Sequence, residues 1–226
     1  MSVKALELGL AEFSTYFENE MEEGKDVEWK AGGRVSKANP NKEDDKFWRK
    51  NGQKYTKNYY EWRMANPNLE IWIDPTGRPA IELGLEVDLP LDTPLKGFVD
   101  RVFRDKVSGE LIIVDIKTGA TASKDGLQLA VYRLAIKEKF GVDIKYGAYW
   151  NARGGQMSDP FDLDQYPPEM VSRWFRDTYK LIKAEVFTPS VGFNCGFCGV
   201  SQHCYTQNPA IVRPEFNDDL QLLEVK

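Results

Sequence analysis

Between residues 80 and 89 the chain alternates strictly, with Ile81, Leu83, Leu85, Val87 and Leu89 on one side and Glu82, Gly84, Glu86 and Asp88 on the other. A period of two predicts a half-buried strand over 80–89. Two more strands are predicted at 97–103 and 111–117, with a turn at 106–109 between them, and the three make an antiparallel meander. Leu127, Val131, Leu134 and Ala135 then recur at helical spacing and predict a helix over 126–140, followed after Gly141 by a short strand at 145–151. A helix crossing between strands implies that this last strand joins the sheet in parallel. A final helix over 168–184 is predicted to turn Val171, Trp174, Phe175, Leu181 and Ile182 inward.

Upstream of the strands the pattern is helical. Leu6, Leu8, Leu10, Phe13 and Phe17 predict an amphipathic helix that begins near residue 2, so abruptly that a segment missing upstream is expected. Residues 23–44, with Gly32-Gly33 and Asn39-Pro40, read as a loop or linker. Residues 45–65 read as a helix despite Gly52, and they interleave Lys46, Arg49, Lys50, Lys54, Lys57 and Arg63 with Phe47, Trp48, Tyr55, Tyr59, Tyr60 and Trp62. Two readings stand for this helix: an aromatic core face with a solvated basic face, or a surface that grips phosphates and stacks on bases. There is no internal repeat. The division expected is a helical N-terminal region at 1–76, an α/β core at 77–185 and a cysteine-bearing tail at 186–226.

Composition narrows the class without naming it. Of 226 residues, 42% are hydrophobic and 29% charged, as in ordinary globular proteins. The longest apolar runs, such as 111–114, are far too short to span a bilayer, and no secretory signal opens the chain, which points to a cytoplasmic setting without membrane partners. A net charge of -5 supplies no global attraction for nucleic acid, so a phosphate-binding surface would have to be a local basic patch or a bound cation. The three cysteines, Cys195, Cys198 and Cys204, are too few and too clustered for a disulfide framework and suggest a metal or iron–sulfur site.

The sharpest chemical signal lies in the meander. If its hairpin turns between Val107 and Ser108, residues whose numbers sum to 215 face each other, and Asp100 stands opposite Asp115. Cross-strand Cβ atoms are about 4.5–5.5 Å apart, and like charges at that distance destabilise a sheet. A divalent cation such as Mg²⁺, which takes carboxylate oxygens, compensates them. Lys117 comes two residues after Asp115 and therefore projects from the same face. Two carboxylates and an ammonium converging on a cation suit phosphodiester hydrolysis. The competing reading pairs Asp100 with Arg101 or Arg104 and leaves Lys117 at the surface. Gln128 and Tyr132, four apart on the next helix, share a face that begins a short loop after Lys117.

The stretch Gly97-Phe98-Val99-Asp100-Arg101-Val102, then Ile112-Ile113-Val114-Asp115-Ile116-Lys117-Thr118-Gly119, then Gln128-Leu129-Ala130-Val131-Tyr132, resembles the motifs of the RecB-like family of PD-(D/E)XK nucleases. That family includes the RecB and AddB nuclease domains and the RecB-like nucleases of CRISPR adaptation. Tyr146, Tyr149, Trp150 and Arg153 look like the next strand in phage and actinobacterial relatives. The resemblance implies an α/β fold with a restriction-endonuclease-like core: a mixed sheet of antiparallel meander plus parallel strand, flanked by helices. It implies Asp100, Asp115 and the Ile116 carbonyl as ligands of Mg²⁺ or Mn²⁺, Lys117 as catalytic, and Gln128 and Tyr132 as the motif that meets substrate. Glu82 would match an acidic residue on the preceding strand, or else is a solvated strand residue. DNA, as single strands or duplex ends, would be the substrate, with Arg101, Lys46, Arg49 and Lys50 contacting it. A helicase or recombinase could complete the protein by docking on the aromatic helix at 45–65. Cys195-x2-Cys198-x5-Cys204 looks like the C-terminal cysteine group of iron–sulfur members, but the fourth cysteine of a [4Fe–4S] site and the usual N-terminal histidine are both absent. The cysteines thus stand open between a cluster, zinc with His203, and a metal-free remnant.

Overall fold

In a computed structural model, which describes residues 3–25, 42–119 and 123–208, the predicted meander lies at the centre of a mixed sheet. Seven strands make one sheet: β1 (Leu69–Ile71), β2 (Ile81–Val87), β3 (Leu95–Asp105), β4 (Leu111–Lys117), β5 (Tyr146–Asn151), β6 (Gln156–Met157) and β7 (Phe161–Asp162). Both β1 and β2 pair with β3 antiparallel, β4 pairs with β3 antiparallel on the other side, and β5 joins β4 in parallel. The parallel step arises from α3 (Leu127–Phe140), which crosses over the sheet between β4 and β5. This is the mixed sheet flanked by helices that the motifs implied. The chain divides into two compact units, Met1–Arg176 and Asp177–Lys226, and the whole sheet lies in the first.

Each face of the sheet is closed by one helix. On one face Leu83, Leu85, Val99, Val102 and Ile113 pack with Leu129, Ala135 and Ile136 of α3. On the other, Phe103, Val114 and Trp150 receive Trp48, Tyr55, Tyr59 and Trp62 of α2 (Asp45–Ala65). The Trp150 indole meets Tyr59 edge-on at 5.1 Å between ring centroids. These aromatic rings are therefore core, and the side chains that would have offered a helicase or recombinase a docking face are spent on the sheet. Gly52 interrupts α2 for a packing reason. A Cβ there would fall 1.9 Å from Phe13 Cζ on α1 (Val3–Glu23), so only glycine lets the two helices approach this closely.

Three expectations need correction. The alternation of β2 fails at its start: Ala80 and Leu83 are both core, and Ile81 is turned outward and exposed. Glu82, with φ of +47°, produces the slip by taking a left-handed backbone conformation that side chains rarely adopt. Of the residues assigned to the inner face of α4 (Pro168–Lys183), Val171 is buried and Phe175 packs beside it, but Trp174, Leu181 and Ile182 are about half exposed. Only the first turns of α4 contribute, against Ala130 and Leu134 of α3. Lastly, β1 falls where no strand was predicted. Most of the expected linker, residues 26–41, lies outside the described residues.

Arg133 anchors α3 to the segments C-terminal to it. Its guanidinium is buried, donating to Asp143 Oδ1 at 2.6 Å and Asp164 Oδ1 at 2.9 Å. Because both acids keep partial access to water, Arg133→Ala should cost about 2 kcal/mol, below the range for a fully buried pair. For a chain of this size that is a fall in Tm of about 4–8 °C, measurable by calorimetry.

Candidate active site

The register of β3 and β4 is the one that opposes the two acids. Arg101 pairs with Val114, Val102 with Ile113, Phe103 with Ile112 and Arg104 with Leu111, so each pair sums to 215, and Asp105 N–H closes the turn on Glu110 C=O at 2.9 Å. The backbone ladder ends at Arg101. One step further a regular ladder would give the Ile116 N–H to the Val99 carbonyl, but the Asp100 carboxylate takes it instead, with Oδ2 accepting at 2.6 Å. The strands part here, and Asp100 sits in the mouth of the gap. In an antiparallel strand the N–H and C=O of one residue point to the same side, so the Ile116 carbonyl is directed into this gap beside Asp100.

Asp115 is the most enclosed member of the group, with 3% of its surface exposed. Gln128 Nε2 donates to its Oδ1 at 2.8 Å and Tyr132 Oη donates to the same oxygen at 3.3 Å. Lys117 Nζ lies 2.8 Å from the buried Oδ2 as an ion pair. Lys117 itself donates to Gln128 Oε1 at 2.7 Å, and Gln128 Nε2 also donates to Tyr132 Oη at 2.8 Å. The helical spacing of 128 and 132 and the strand spacing of 115 and 117 thus meet in one network. All five residues singled out from the sequence are brought together, counting Asp100 at its edge.

Three neighbours were not foreseen as site residues. Tyr149 stands beside Asp115 in the parallel register, and Lys117 Nζ lies 5.3 Å from its ring centroid. The sequence implied that this strand joins in parallel, but not its register beside β4, which is what sets Tyr149 next to Asp115. Arg153 Nε donates to Thr118 C=O at 2.9 Å and Asn151 Nδ2 to Gly119 C=O at 3.3 Å, tethering the chain as it leaves Lys117.

Electrostatics single out the same spot. Burial holds the Asp100 carboxyl above its ordinary range, opposed by the Ile116 N–H and reinforced by the Asp115 and Glu82 charges. Burial likewise raises the Tyr132 and Tyr149 phenols, with the Asp115 charge adding to both. Glu82, mostly exposed, has its Oε1 3.3 Å from Arg101. Lys46, Arg49 and Lys50 are exposed along α2, but Arg49 is engaged by Glu18 of α1 and lies over the Phe17 ring.

A hard cation fits this donor set. Asp115 Oδ2 is a buried oxygen paired with the Lys117 ammonium, Asp100 is a second carboxylate whose charge the site disfavours, and a backbone carbonyl faces the same gap. Among the described residues no group of three or more His, Cys, Asp or Glu side chains is assembled to hold a metal. The set of two carboxylates and a carbonyl is smaller than that. Cys195 and Cys204 are half-buried, Cys198 is exposed and all three thiols are free, so the expectation of a [4Fe–4S] or zinc site gains no support. No helix among the described residues is long and apolar enough to cross a membrane.

The chain belongs to the PD-(D/E)XK nuclease superfamily, whose family model matches residues 7–205. The "Gene 69 protein" of Mycobacterium phage D29 is similar at 34% identity over 159 residues, a match that covers 68% of this chain and 57% of that relative. This chain therefore spans little more than half the relative's length. Among solved structures, that of SSO0001 is similar at 16% identity with a TM-score of 0.40, over 66% of this chain and 65% of that one. Membership of the superfamily implies a metal-dependent nuclease.

Proposed function

We propose that the chain hydrolyses phosphodiester bonds in DNA, as a RecB-like nuclease using Mg²⁺ or Mn²⁺. The observation that carries this reading is the convergence of the Asp100 and Asp115 carboxylates and the Lys117 ammonium where β3 and β4 part. Asp100, Asp115 and the Ile116 carbonyl would hold the cation, which when bound lowers the pKa of a water and offsets charge on the phosphate. Asp115 is held in place by Gln128 and Tyr132, so its carboxylate keeps one direction. Lys117 supplies a positive charge beside the scissile phosphate and orients the attacking water, steered by Gln128 and the Tyr149 ring. Arg101, Lys46 and Lys50 are offered as phosphate contacts, which a protein of net charge -5 needs locally. Its place would be in recombination, repair or phage DNA processing, acting from ends or on single strands.

The test is incubation of the purified full chain with linear single-stranded, linear duplex and closed circular DNA in Mn²⁺ or Mg²⁺. Linear molecules should shorten, circles should survive, and EDTA should stop the reaction. Absence of cleavage, or cleavage undiminished in both Asp115→Ala and Lys117→Ala, rejects the proposal. Cleavage of closed circles would keep the nuclease and remove the end preference.

A further inference from the structure

Two of the three partners of the Lys117 ammonium belong to the carboxylate network. Asp115 Oδ2 pairs with it at 2.8 Å and Gln128 Oε1 accepts from it at 2.7 Å, while the same Gln128 donates to Asp115 Oδ1. In the nuclease reading above Asp115 is also a ligand of the cation, so its charge is shared between two positive groups, and Gln128 is tied to it. The third partner stands outside that network. The Tyr149 ring centroid lies 5.3 Å from Lys117 Nζ, inside the roughly 6 Å over which an aromatic face attracts an ammonium.

Tyr149 is fixed from every side. It is 1% exposed and packs with Leu129 and Ile136 of α3, beside Asp115 in the parallel register and so diagonal to Lys117, two residues further along β4. Its N–H donates to Ser158 Oγ at 3.1 Å, and its C=O accepts the Ser158 N–H at 2.8 Å. Its ring meets Phe161 edge-on at 5.6 Å between centroids, and its hydroxyl donates to the Asp125 C=O at 3.0 Å, just ahead of α3. The end of β5 also holds the lysine's backbone, because the Ala152 N–H donates to the Lys117 C=O at 2.9 Å. One strand therefore fixes both ends of Lys117.

We infer that Tyr149 is a positioning residue for cleavage, whose ring face holds the Lys117 ammonium at the scissile phosphate independently of Asp115; this rests on the nuclease reading above. A ring that only filled the core could be replaced by any apolar side chain of similar volume. What an aromatic ring adds is the negative charge on its face, directed at a cation. Without it, a four-carbon chain regains rotamers that must be lost again in the transition state. The loss then falls on the chemical step rather than on binding.

Single-turnover cleavage with saturating protein and DNA binding in EDTA are measured for the wild type, Tyr149→Phe and Tyr149→Leu. Two further proteins carry phenylalanine with one or two meta fluorines at position 149, which draw charge from the ring face and barely alter its shape. Tyr149→Leu should cleave about tenfold more slowly, the equivalent of one partly desolvated cation–π contact, with binding within about twofold of wild type. Tyr149→Phe, which keeps the ring and loses one hydrogen bond, should stay within about threefold. Each fluorine should slow cleavage about twofold further than Tyr149→Phe, and this series carries the test should Tyr149→Leu fail to fold. In a Lys117→Ala background Tyr149→Leu should bring no further loss, because the ring acts through the lysine. The contact is also read without cleavage. In lysine-labelled protein the Lys117 methylene next to Nζ, identified by its absence from Lys117→Ala, should resonate upfield under the ring current in the wild type and Tyr149→Phe, and at the ordinary lysine position in Tyr149→Leu. A wild type without that upfield signal, a Tyr149→Phe protein as slow as Tyr149→Leu, a rate indifferent to fluorine, or an equal loss in the Lys117→Ala background would each overturn the inference. If the wild type shows the shifted lysine and Tyr149→Leu loses it while no protein cuts DNA, the hold of the ring on Lys117 stands and the nuclease reading is rejected.

Discussion

Lys117→Ala is expected to lower the rate of DNA cleavage by about a thousandfold or more while leaving the protein folded and able to bind substrate. The side chain is fixed on three sides, by Asp115 Oδ2 at 2.8 Å, Gln128 Oε1 at 2.7 Å and the Tyr149 ring beneath it. Such a placement is too constrained for a lysine that merely solvates a strand end, because holding a long chain in one rotamer costs entropy. Lys117→Arg should fail nearly as badly. Its planar fork cannot occupy the point between a carboxylate, an amide oxygen and a ring face that a compact ammonium fills. Single-turnover cleavage with saturating protein measures the chemical step, and binding in EDTA measures the rest. A rate within tenfold of wild type for either variant would remove Lys117 from the chemistry.

The parts legible in the sequence are those governed by local periodicity. Strict alternation marked β2, a summed register of 215 fixed β3 against β4, and helical spacing put Gln128 and Tyr132 on one face. Each of these depends on the chain's near neighbours alone. The features that escaped depend on distant pairing. Tyr149 enters the site only through the register of β5 beside β4, and β1 is a strand only because β3 offers it partners, with Leu69 its one buried residue. The slip at Ile81 escaped for another reason. Its alternating sequence is ideal, and a backbone angle at Glu82 overrides it, beside the acid whose carboxylate substitutes for a ladder bond. Irregular backbone at the point where two strands part is where strain is usually stored for function. Likewise the aromatic residues of α2 carry the same pattern whether they cover a sheet or a base, and only the sheet decides between those readings.

Asp100→Asn is expected to abolish the stabilisation of the protein by Mg²⁺ or Mn²⁺ and to reduce cleavage about a thousandfold, without lowering the metal-free Tm. Burial, with the charges of Asp115 and Glu82, lifts the Asp100 carboxyl above its ordinary value of 3.8, so its ionised form opposes folding. A group whose folded pKa is raised adds stability below its unfolded pKa and loses it as pH rises through the folded value, so at neutral pH the metal-free protein carries the cost of a charged Asp100. Asparagine removes that charge and can still accept the Ile116 N–H through its amide oxygen. Its metal-free Tm in EDTA at pH 7 should therefore equal or exceed that of the wild type. In the wild type a cation at ten times its Kd contributes about 1.4 kcal/mol, or roughly 3–5 °C in Tm for a chain of this length. That increment should shrink as pH falls toward the raised Asp100 value, because protons then compete for the same oxygens. Scanning fluorimetry in EDTA and in metal, across pH, reads all of this from one plate. A wild-type Tm indifferent to both cations, or an Asp100→Asn protein still stabilised by them, would show that Asp100 holds no metal and that the gap between β3 and β4 is structural.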